Sequence, residues 1–230
     1  LDLNTNYLFR STSDKDKADQ KVAAEVPFST IGSQNAIYNM SFDDWTSDDG
    51  VMYPASSLDE ANYVWDTANK AAKVVSKTPT NKESGIVISG NAAKLTSVTA
   101  FGVLAAGNIY TGKFGNIDGV GAVLYWGHKF DSRPLAMRGW YRYEPVNIDI
   151  VSDNYSHLKG QPDFCQIQIF LAKWTNQFEI NTKKGQFVDL SNNNTTIIAH
   201  GQIVTQDNTT DNAGNRNGYV QFTIPLEYRS

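Results

Sequence analysis

Two stretches of the chain alternate apolar and polar residues with a period of two, and this alternation constrains the fold more than any other feature. In CQIQIFL the apolar side chains run at every second position from Cys165 to Leu171, and Gln166 and Gln168 lie between them. YVQFTIPLEY, near the end of the chain, repeats the pattern. Successive side chains of a strand point to opposite faces, so both segments predict half-buried β-strands. Pro225 favours a sheet edge or a strand end.

Short apolar runs separated by Gly, Asn, Asp, Ser and Pro continue from Val26 onward, which is typical of many strands joined by turns. We predict an all-β fold, a jelly-roll-like β-sandwich of two antiparallel sheets. Residues 1–25 are predicted to be a polar leader or linker, with a short helix at its end, and residues 26–230 a single domain. DEANYVWDTANKAAKVVSK is the one later segment with a partly helical pattern. Further strands are predicted at AIYNMSF, GIVISG, AAKLTSV, VGAVLYWG, LAMRGWYRYEP and TIIAHGQIVT.

Composition excludes several classes of function. The net charge is −4 and no basic block is present, which argues against a nucleic-acid partner. The longest apolar runs are far shorter than the roughly 20 residues of a membrane-spanning helix, so no membrane insertion is expected. Cys165 is the single cysteine, which excludes intrachain disulfides and multi-thiolate metal sites.

Catalytic and metal-binding patterns are weak. The three histidines lie far apart in sequence, and no phosphate-binding glycine loop or serine elbow occurs. Glycoside hydrolysis usually needs two carboxylates about 5–10 Å apart. The acidic segment SFDDWTSDDG is better explained as a turn. Asp43 and Asp44 are weak candidates for a structural calcium site, because calcium prefers oxygen-rich loops; no other cofactor is expected.

One strand carries a combination of residues that suits sugar binding. Sugars stack their C–H faces on flat rings and offer hydroxyls that match amide and guanidinium groups. In MRGWYRYEP, Arg138 and Trp140 share one side, and Gly139 lies opposite as a small spacer. Gln166 and Gln168 add amides from a second strand. The alternatives are a buried Trp140, arginines that only protect a sheet edge, and glutamines that only face solvent.

The residues also resemble a known family. SFDDW, YVWDTAN, SGNAAKLTSVTA, LAAGNIYTGKF, GAVLYWGHKFDSRPLAMRGWYRYEP and FTIPLEYR follow the order and approximate spacing of the putative carbohydrate metabolism domain, found in exported and surface lipoproteins of Bacteroidetes. The resemblance extends from about Asn39 to Arg229, and RPLAMRGWYRY is its most specific part. Members usually continue past the IPLEYR strand into a closing strand, so the resemblance leaves open whether final strands are missing here.

The resemblance implies a jelly roll similar to carbohydrate-binding modules, in proteins linked to polysaccharide capture. It also implies export to the outer membrane, cell surface or periplasm, a lipid anchor upstream and a neighbouring immunoglobulin-like domain. No catalytic residue is established for the family. The family motifs are matched here by Trp65, Asp66 and Asn69, by Gly107 and Gly112, by Arg133 and Pro134, and by Tyr141 and Tyr143.

Three functions are consistent with these observations. The leading hypothesis is non-catalytic binding of an oligo- or polysaccharide. The second is a structural or adhesive surface module that pairs through a sheet edge, and the third is a glycoside hydrolase with a carboxylate pair. The predicted ligand-binding residues are Trp65, Asn69, Arg133, Arg138, Trp140, Gln166 and Gln168.

Overall fold

A computed structural model describes residues 6–9, 24–29, 37–100, 103–151, 153–210 and 216–229. Within these ranges the chain is built mainly of antiparallel strands, which confirms the predicted all-β class. None of the helices in this described part is long and apolar enough to cross a membrane. The strands of the first half are β1 (Asn6–Phe9), β2 (Val26–Ser29), β3 (Thr46–Asp48), β4 (Val51–Tyr53), β5 (Trp65–Thr67), β6 (Thr80–Glu83), β7 (Ala92–Leu95), β8 (Val98–Ala100) and β9 (Val103–Ala105). Those of the second half are β10 (Ile109–Asp118), β11 (Gly121–Trp126), β12 (Ala136–Tyr141), β13 (Cys165–Ala172), β14 (Phe178–Asn181), β15 (Ile197–Thr205), β16 (Val220–Pro225) and β17 (Glu227–Tyr228).

The chain divides into two compact units, residues 1–37 with 129–132 and residues 38–128 with 133–230. In the first unit β1 and β2 form an antiparallel hairpin pair, and the rings of Tyr7 and Phe28 stack with centroids 5.5 Å apart. The helix predicted at the end of the leader falls mostly outside the described residues. The predicted boundary at residue 25 stays a prediction.

The second unit contains a four-stranded antiparallel sheet in the order β14-β11-β10-β5. Tyr110, Leu124 and Ile180 are buried together on one face of this sheet. Gly112 lies where β10 and β11 pair most closely, at a φ of +142°, and a Cβ there would overlap the carbonyl oxygen of Tyr125. Glycine is therefore needed both for the backbone angle and for the space.

Two further sheets of this unit adjoin each other, and β3 with β4, β6 with β7 and β8 with β9 form separate antiparallel pairs. β13, β15 and β17 pair in that order, and β12 pairs with β16. Leu226 alone separates β16 from β17, and the alternation passes through it, since Ile224 and Leu226 are buried while Pro225 and Glu227 are exposed. The strand thus leaves β12 and joins β15, giving the order β12-β16/β17-β15-β13. Two such sheets are consistent with a sandwich; the jelly-roll connectivity stays a prediction.

Two predicted strands are wrong. Within AIYNMSF the residues from Tyr38 onward form a turn, in which Asn39 and Phe42 have φ values of +54° and +58°. The Asn39 side chain accepts from the Asp44 N–H and donates to the carbonyl oxygens of Asp44 and Pro54. These side-chain bonds replace a strand ladder.

The second wrong strand, GIVISG, forms bends. Its first two backbone N–H groups, from Gly85 and Ile86, donate to Glu83 Oε1 at 2.8 and 3.2 Å instead of to a neighbouring strand. An apolar run can only become a strand if its backbone groups remain free to pair. The remaining predicted strands occur in full or in part, and the segment expected to be partly helical holds a four-residue helix, α1 (Asn69–Ala72), followed by a 3₁₀ turn (Lys73–Val75).

Candidate functional site

Four of the predicted residues lie on one side of the strands β12-β16/β17-β15-β13, Arg138 and Trp140 on β12 and Gln166 and Gln168 on β13, with β16/β17 and β15 between them. Arg138 pairs with Thr223 and Trp140 with Gln221 across β12 and β16. Gln168 lies directly opposite Gln202 across β13 and β15. Because alternate residues of paired strands share a face, these side chains lie on one surface, which we call the outer face. It consists of Arg138, Trp140, Gln221, Thr223, Pro225, Glu227, His200, Gln202, Val204, Gln166, Gln168 and Phe170.

The glutamines of the outer face form an amide cluster. Gln166 Nε2 donates to Gln168 Oε1 at 2.6 Å and to Gln202 Oε1 at 3.0 Å. Both bonds hold the side chains in place, and the amide N–H groups of Gln168 and Gln202 have no hydrogen-bond acceptor among the described residues. Preformed amide groups of this kind match the hydroxyl pairs of a sugar. Cys165, on the opposite face, is a free thiol whose pKa is raised by burial.

Trp140 is half-buried on the outer face, neither fully in the core nor fully exposed. The guanidinium carbon of Arg216 lies 4.7 Å from the centre of the Trp140 ring. Arg138, two residues before Trp140 on the same side of β12, is exposed. The indole is thus available at the surface, with cationic groups beside it.

A groove of about 430 Å³ opens where β15 and β17 meet. His200 and Glu227 face each other across these strands. The Arg229 guanidinium donates to the carbonyl oxygens of Leu190 at 2.5 Å and Ser191 at 2.7 Å, which fixes the loop that forms the groove wall. The volume lies in the range of small-ligand sites. The groove is lined by Leu190, Asn192, His200, Glu227, Tyr228 and Arg229.

The electrostatics of the groove do not suit general acid–base hydrolysis. Burial and then the charge of Arg229 lower the pKa of His200, while Glu227 opposes the shift, so the imidazole is neutral at pH 7. Its buried Nε2 has no hydrogen-bond partner among the described residues. Glu227 is the single carboxylate of the lining. Glycosidases use a pair, and the lining of this groove does not supply one.

Arg133 lies next to the groove. Its guanidinium carbon lies 4.1 Å from the centre of the Tyr228 ring, and the Tyr228 hydroxyl donates to the carbonyl oxygen of Pro134 at 2.8 Å. Together these contacts tie the residues before β12 to β17. Arg133 is exposed and keeps the N–H edge of its guanidinium group free among the described residues, since stacking uses only the face of the group.

Trp65 and Asn69 lie on the other sheet and on α1, and their polar atoms are already bonded. Trp65 Nε1 donates to the carbonyl oxygen of Tyr38 at 2.7 Å. The buried Asn69 side chain donates to the carbonyl oxygens of Met52 and Thr80, both at 2.8 Å, and accepts from the Thr80 N–H at 2.9 Å. Both amide hydrogens of Asn69 are therefore bonded to backbone carbonyl oxygens. Trp65 and Asn69 are not part of the outer face.

Asp66, between them in sequence, is buried at 1% exposure and has a structural role. Its carboxylate accepts from the Phe114 and Thr67 N–H groups at 2.7 and 2.8 Å, and from the Tyr63 hydroxyl. The Lys70 ammonium is 3.9 Å away. Burial, and then the charge of Asp66, raise the pKa of Tyr63 strongly. Tyr63 consequently remains a protonated donor and is not suited to act as a base.

Asp43 and Asp44, the candidate calcium ligands, hold loop segments. Asp43 Oδ1 accepts from the Asn91 N–H at 2.7 Å, and this bond is the main cause that lowers the pKa of Asp43. Asp44 accepts from the Tyr38 hydroxyl. The described ranges contain no group of three or more His, Cys, Asp or Glu side chains placed to hold a metal ion. The loop therefore adds no support for a calcium site.

Sequence reasoning missed His200, Gln202, Glu227 and Arg229 as neighbours of the predicted residues, and it missed Arg216. A signal for two of them was present. In TIIAHGQIVT the period of two places His200 and Gln202 opposite the apolar positions. The pairing of this strand with CQIQIFL, which brings Gln202 beside Gln168, depends on tertiary structure and has no local signature.

Comparison with known proteins identifies the family. No curated protein and no solved structure matches the chain significantly. A family model does match, over residues 41–230, which is most of the chain and includes the four-stranded sheet and the strands of the outer face. Its description is "putative carbohydrate metabolism domain". The protein therefore belongs to the putative carbohydrate metabolism domain family.

Proposed function

We propose that this domain binds oligo- or polysaccharides without cleaving them, through the outer face and the groove beside it. The observation that carries the proposal is the placement of Arg138, Trp140, Gln166 and Gln168 on one exposed face, next to a polar groove. An aromatic ring, free amide donors and guanidinium groups are the elements that sugar recognition requires. Membership of a carbohydrate metabolism family agrees with this assignment.

The proposal includes a cellular setting. We infer that the domain works outside the cytoplasm, at the cell surface or in the periplasm of a Bacteroidetes species, as part of a lipoprotein that captures polysaccharide. An upstream lipid anchor and an immunoglobulin-like neighbour belong to the same proposal. Cell fractionation with an antibody to residues 41–230 tests it, and recovery of the protein in the cytoplasmic fraction would contradict it.

Isothermal titration against a panel of neutral and acidic polysaccharides tests the binding function. We expect binding that Trp140→Ala weakens by about three- to tenfold, since an aromatic contact contributes about 0.5–1.5 kcal/mol. Gln168→Ala should weaken it similarly. Gln177→Ala is the matched control, because Gln177 is exposed elsewhere and its amide bonds Gly127 O. Absence of binding to every polysaccharide at millimolar sugar would refute the function, and release of reducing ends would favour the hydrolase.

A second candidate function, adhesion through a sheet edge, has one observation in its favour. β13 lies at the edge of its sheet among the described residues, and Cys165–Ala172 contains no charged side chain. Natural edge strands usually carry charges or Pro that prevent pairing with another chain. Sedimentation over a hundredfold concentration range tests this function. Phe170→Lys should abolish any self-association, and a monomer at all concentrations would exclude self-pairing.

A further inference from the structure

Two arginines near Trp140, Arg138 and Arg216, have no ion-pair partner among the described residues. The Arg216 guanidinium stacks on the Trp140 ring at 4.7 Å. Arg138 is on the same side of β12, two residues away, which corresponds to about 7 Å along a strand. The nearest carboxylate in sequence to Trp140, Glu144, pairs instead with Arg142 at 3.7 Å. Two exposed positive charges thus remain uncompensated in a chain of net charge −4.

Contacts of the residues that follow Arg216 hold it in position. The Tyr219 N–H donates to the Arg216 carbonyl oxygen at 3.2 Å. Tyr219 is buried, and its hydroxyl donates to the Ile86 carbonyl oxygen at 2.9 Å. The C-terminal side of Arg216 is therefore tied to a buried residue.

Stacking leaves the binding edge of the guanidinium group available. A guanidinium packed face-on against an indole keeps its N–H groups in the ring plane, where they can bond a carboxylate or sulfate oxygen. The stack also restricts the Arg216 side chain, so less conformational entropy is lost when an anion binds. Charge-assisted bonds of this kind are stronger than bonds between neutral groups.

We propose that the Trp140 end of the outer face selects acidic glycans, whose uronate or sulfate group bonds Arg138 and Arg216 while the sugar ring packs beside the indole. This inference rests on the proposed glycan-binding function and specifies its ligand class. The amide cluster of Gln166, Gln168 and Gln202 then contacts the neighbouring hydroxyls of the same chain. Neutral polysaccharides bind the same face more weakly, because they leave both guanidinium groups unpaired.

The test uses polymers that differ only in charge. We expect the full chain to bind polygalacturonate at least tenfold more tightly than fully methyl-esterified polygalacturonate, or dextran sulfate at least tenfold more tightly than dextran. The first result assigns a uronate and the second a sulfate. Arg138→Gln and Arg216→Gln should each reduce acidic-polymer affinity by about tenfold or more, as expected for the loss of one charge-assisted bond, and should reduce neutral-polymer affinity by a clearly smaller factor.

Lys184→Gln is the matched control, since Lys184 is an exposed cation in the turn after β14, whose sheet does not include β12. If Lys184→Gln weakens acidic-polymer binding as much as Arg138→Gln does, the attraction is nonspecific and the proposal is wrong. Equal affinity for charged and uncharged polymers overturns the acidic preference but leaves the glycan-binding function standing. Absence of binding to all four polymers would refute both the acidic preference and the glycan-binding function. Melting temperatures of the variants show whether each remains folded.

Discussion

Replacing Asn69 with Ala should destabilise the domain by roughly 3–5 kcal/mol, because one buried side chain holds three backbone groups. Asn69 is 2% exposed. Its amide bonds the carbonyl oxygens of Met52 and Thr80 and the N–H of Thr80 at 2.8–2.9 Å. A buried polar group that loses its partner costs about 1–3 kcal/mol. The estimate lies below the maximum for three groups, since the bond to Met52 is only part-buried.

Urea unfolding followed by tryptophan fluorescence measures this change, because the chain contains 5 Trp. Thermal unfolding should show a fall in Tm of about 10 °C, as 1 kcal/mol corresponds to about 2–4 °C in a chain of this size. Asn116→Ala is the matched control. Its amide bonds only the carbonyl oxygen of Ile117, on the surface, and its loss should cost less than about 0.5 kcal/mol.

Asn69→Asp separates hydrogen bonding from shape. The carboxylate keeps the volume but directs oxygen atoms at two carbonyl oxygens, so it should destabilise the fold more than Ala does at pH 7. Burial raises the folded-state pKa of such a carboxyl group above its unfolded value, so the variant gains stability relative to wild type as the pH falls. The reasoning about Asn69 is refuted if Asn69→Ala costs less than about 1 kcal/mol, or if Asp is tolerated at pH 7.

Three further predictions follow from individual contacts. Gly201→Ala should cost about 3 kcal/mol in urea unfolding, because a Cβ would overlap the Pro225 carbonyl oxygen and separate β15 from β16; a neutral result would show that the two strands are not in contact. Burial lowers the pKa values of His128 and His200, so protonation favours the unfolded state and stability should fall from about pH 7.5 to 5.5. Replacing both His128 and His200 with Gln should flatten this pH dependence of stability. An unchanged slope would show that other groups cause it. Arg229→Gln should weaken glycan binding about fivefold in titration calorimetry through loss of the loop contacts to Leu190 and Ser191, and full affinity would exclude the groove from the site.

Strands were predicted best where apolar and polar residues alternate, because successive side chains of a strand point to opposite faces. CQIQIFL and YVQFTIPLEY both form strands. In the second, Ile224 and Leu226 are buried and Pro225 and Glu227 exposed, whereas in the first every residue but Gln166 is half-buried. GIVISG failed because the Glu83 carboxylate takes the backbone N–H groups that a strand needs. Side-chain bonds of this kind depend on where one carboxylate points, and an apolar pattern contains no information about that direction.

The candidate site also has features that follow from local sequence and features that depend on tertiary structure. Arg138 and Trp140 share a face because they are two residues apart on a strand, which is a local property. They share this face with Gln166 and Gln168 only because the strand β16/β17 pairs first with β12 and then, past Leu226, with β15. Asn69 bonds the backbone for a chemical reason, since an amide that would suit a sugar suits backbone groups equally well. Only burial separates the two roles.

The two groups of polar residues can therefore be distinguished by experiment as well as by position. Asp66 and Asn69 each bond backbone groups from segments far along the chain, so their loss acts on stability first. The outer-face glutamines bond mainly one another, and Arg138 has no described hydrogen-bond or ion-pair partner. Substitutions of Arg138 and of the outer-face glutamines should therefore change affinity while the melting temperature stays constant. A variant that loses both at once reports a damaged fold, and its affinity carries no information about the ligand.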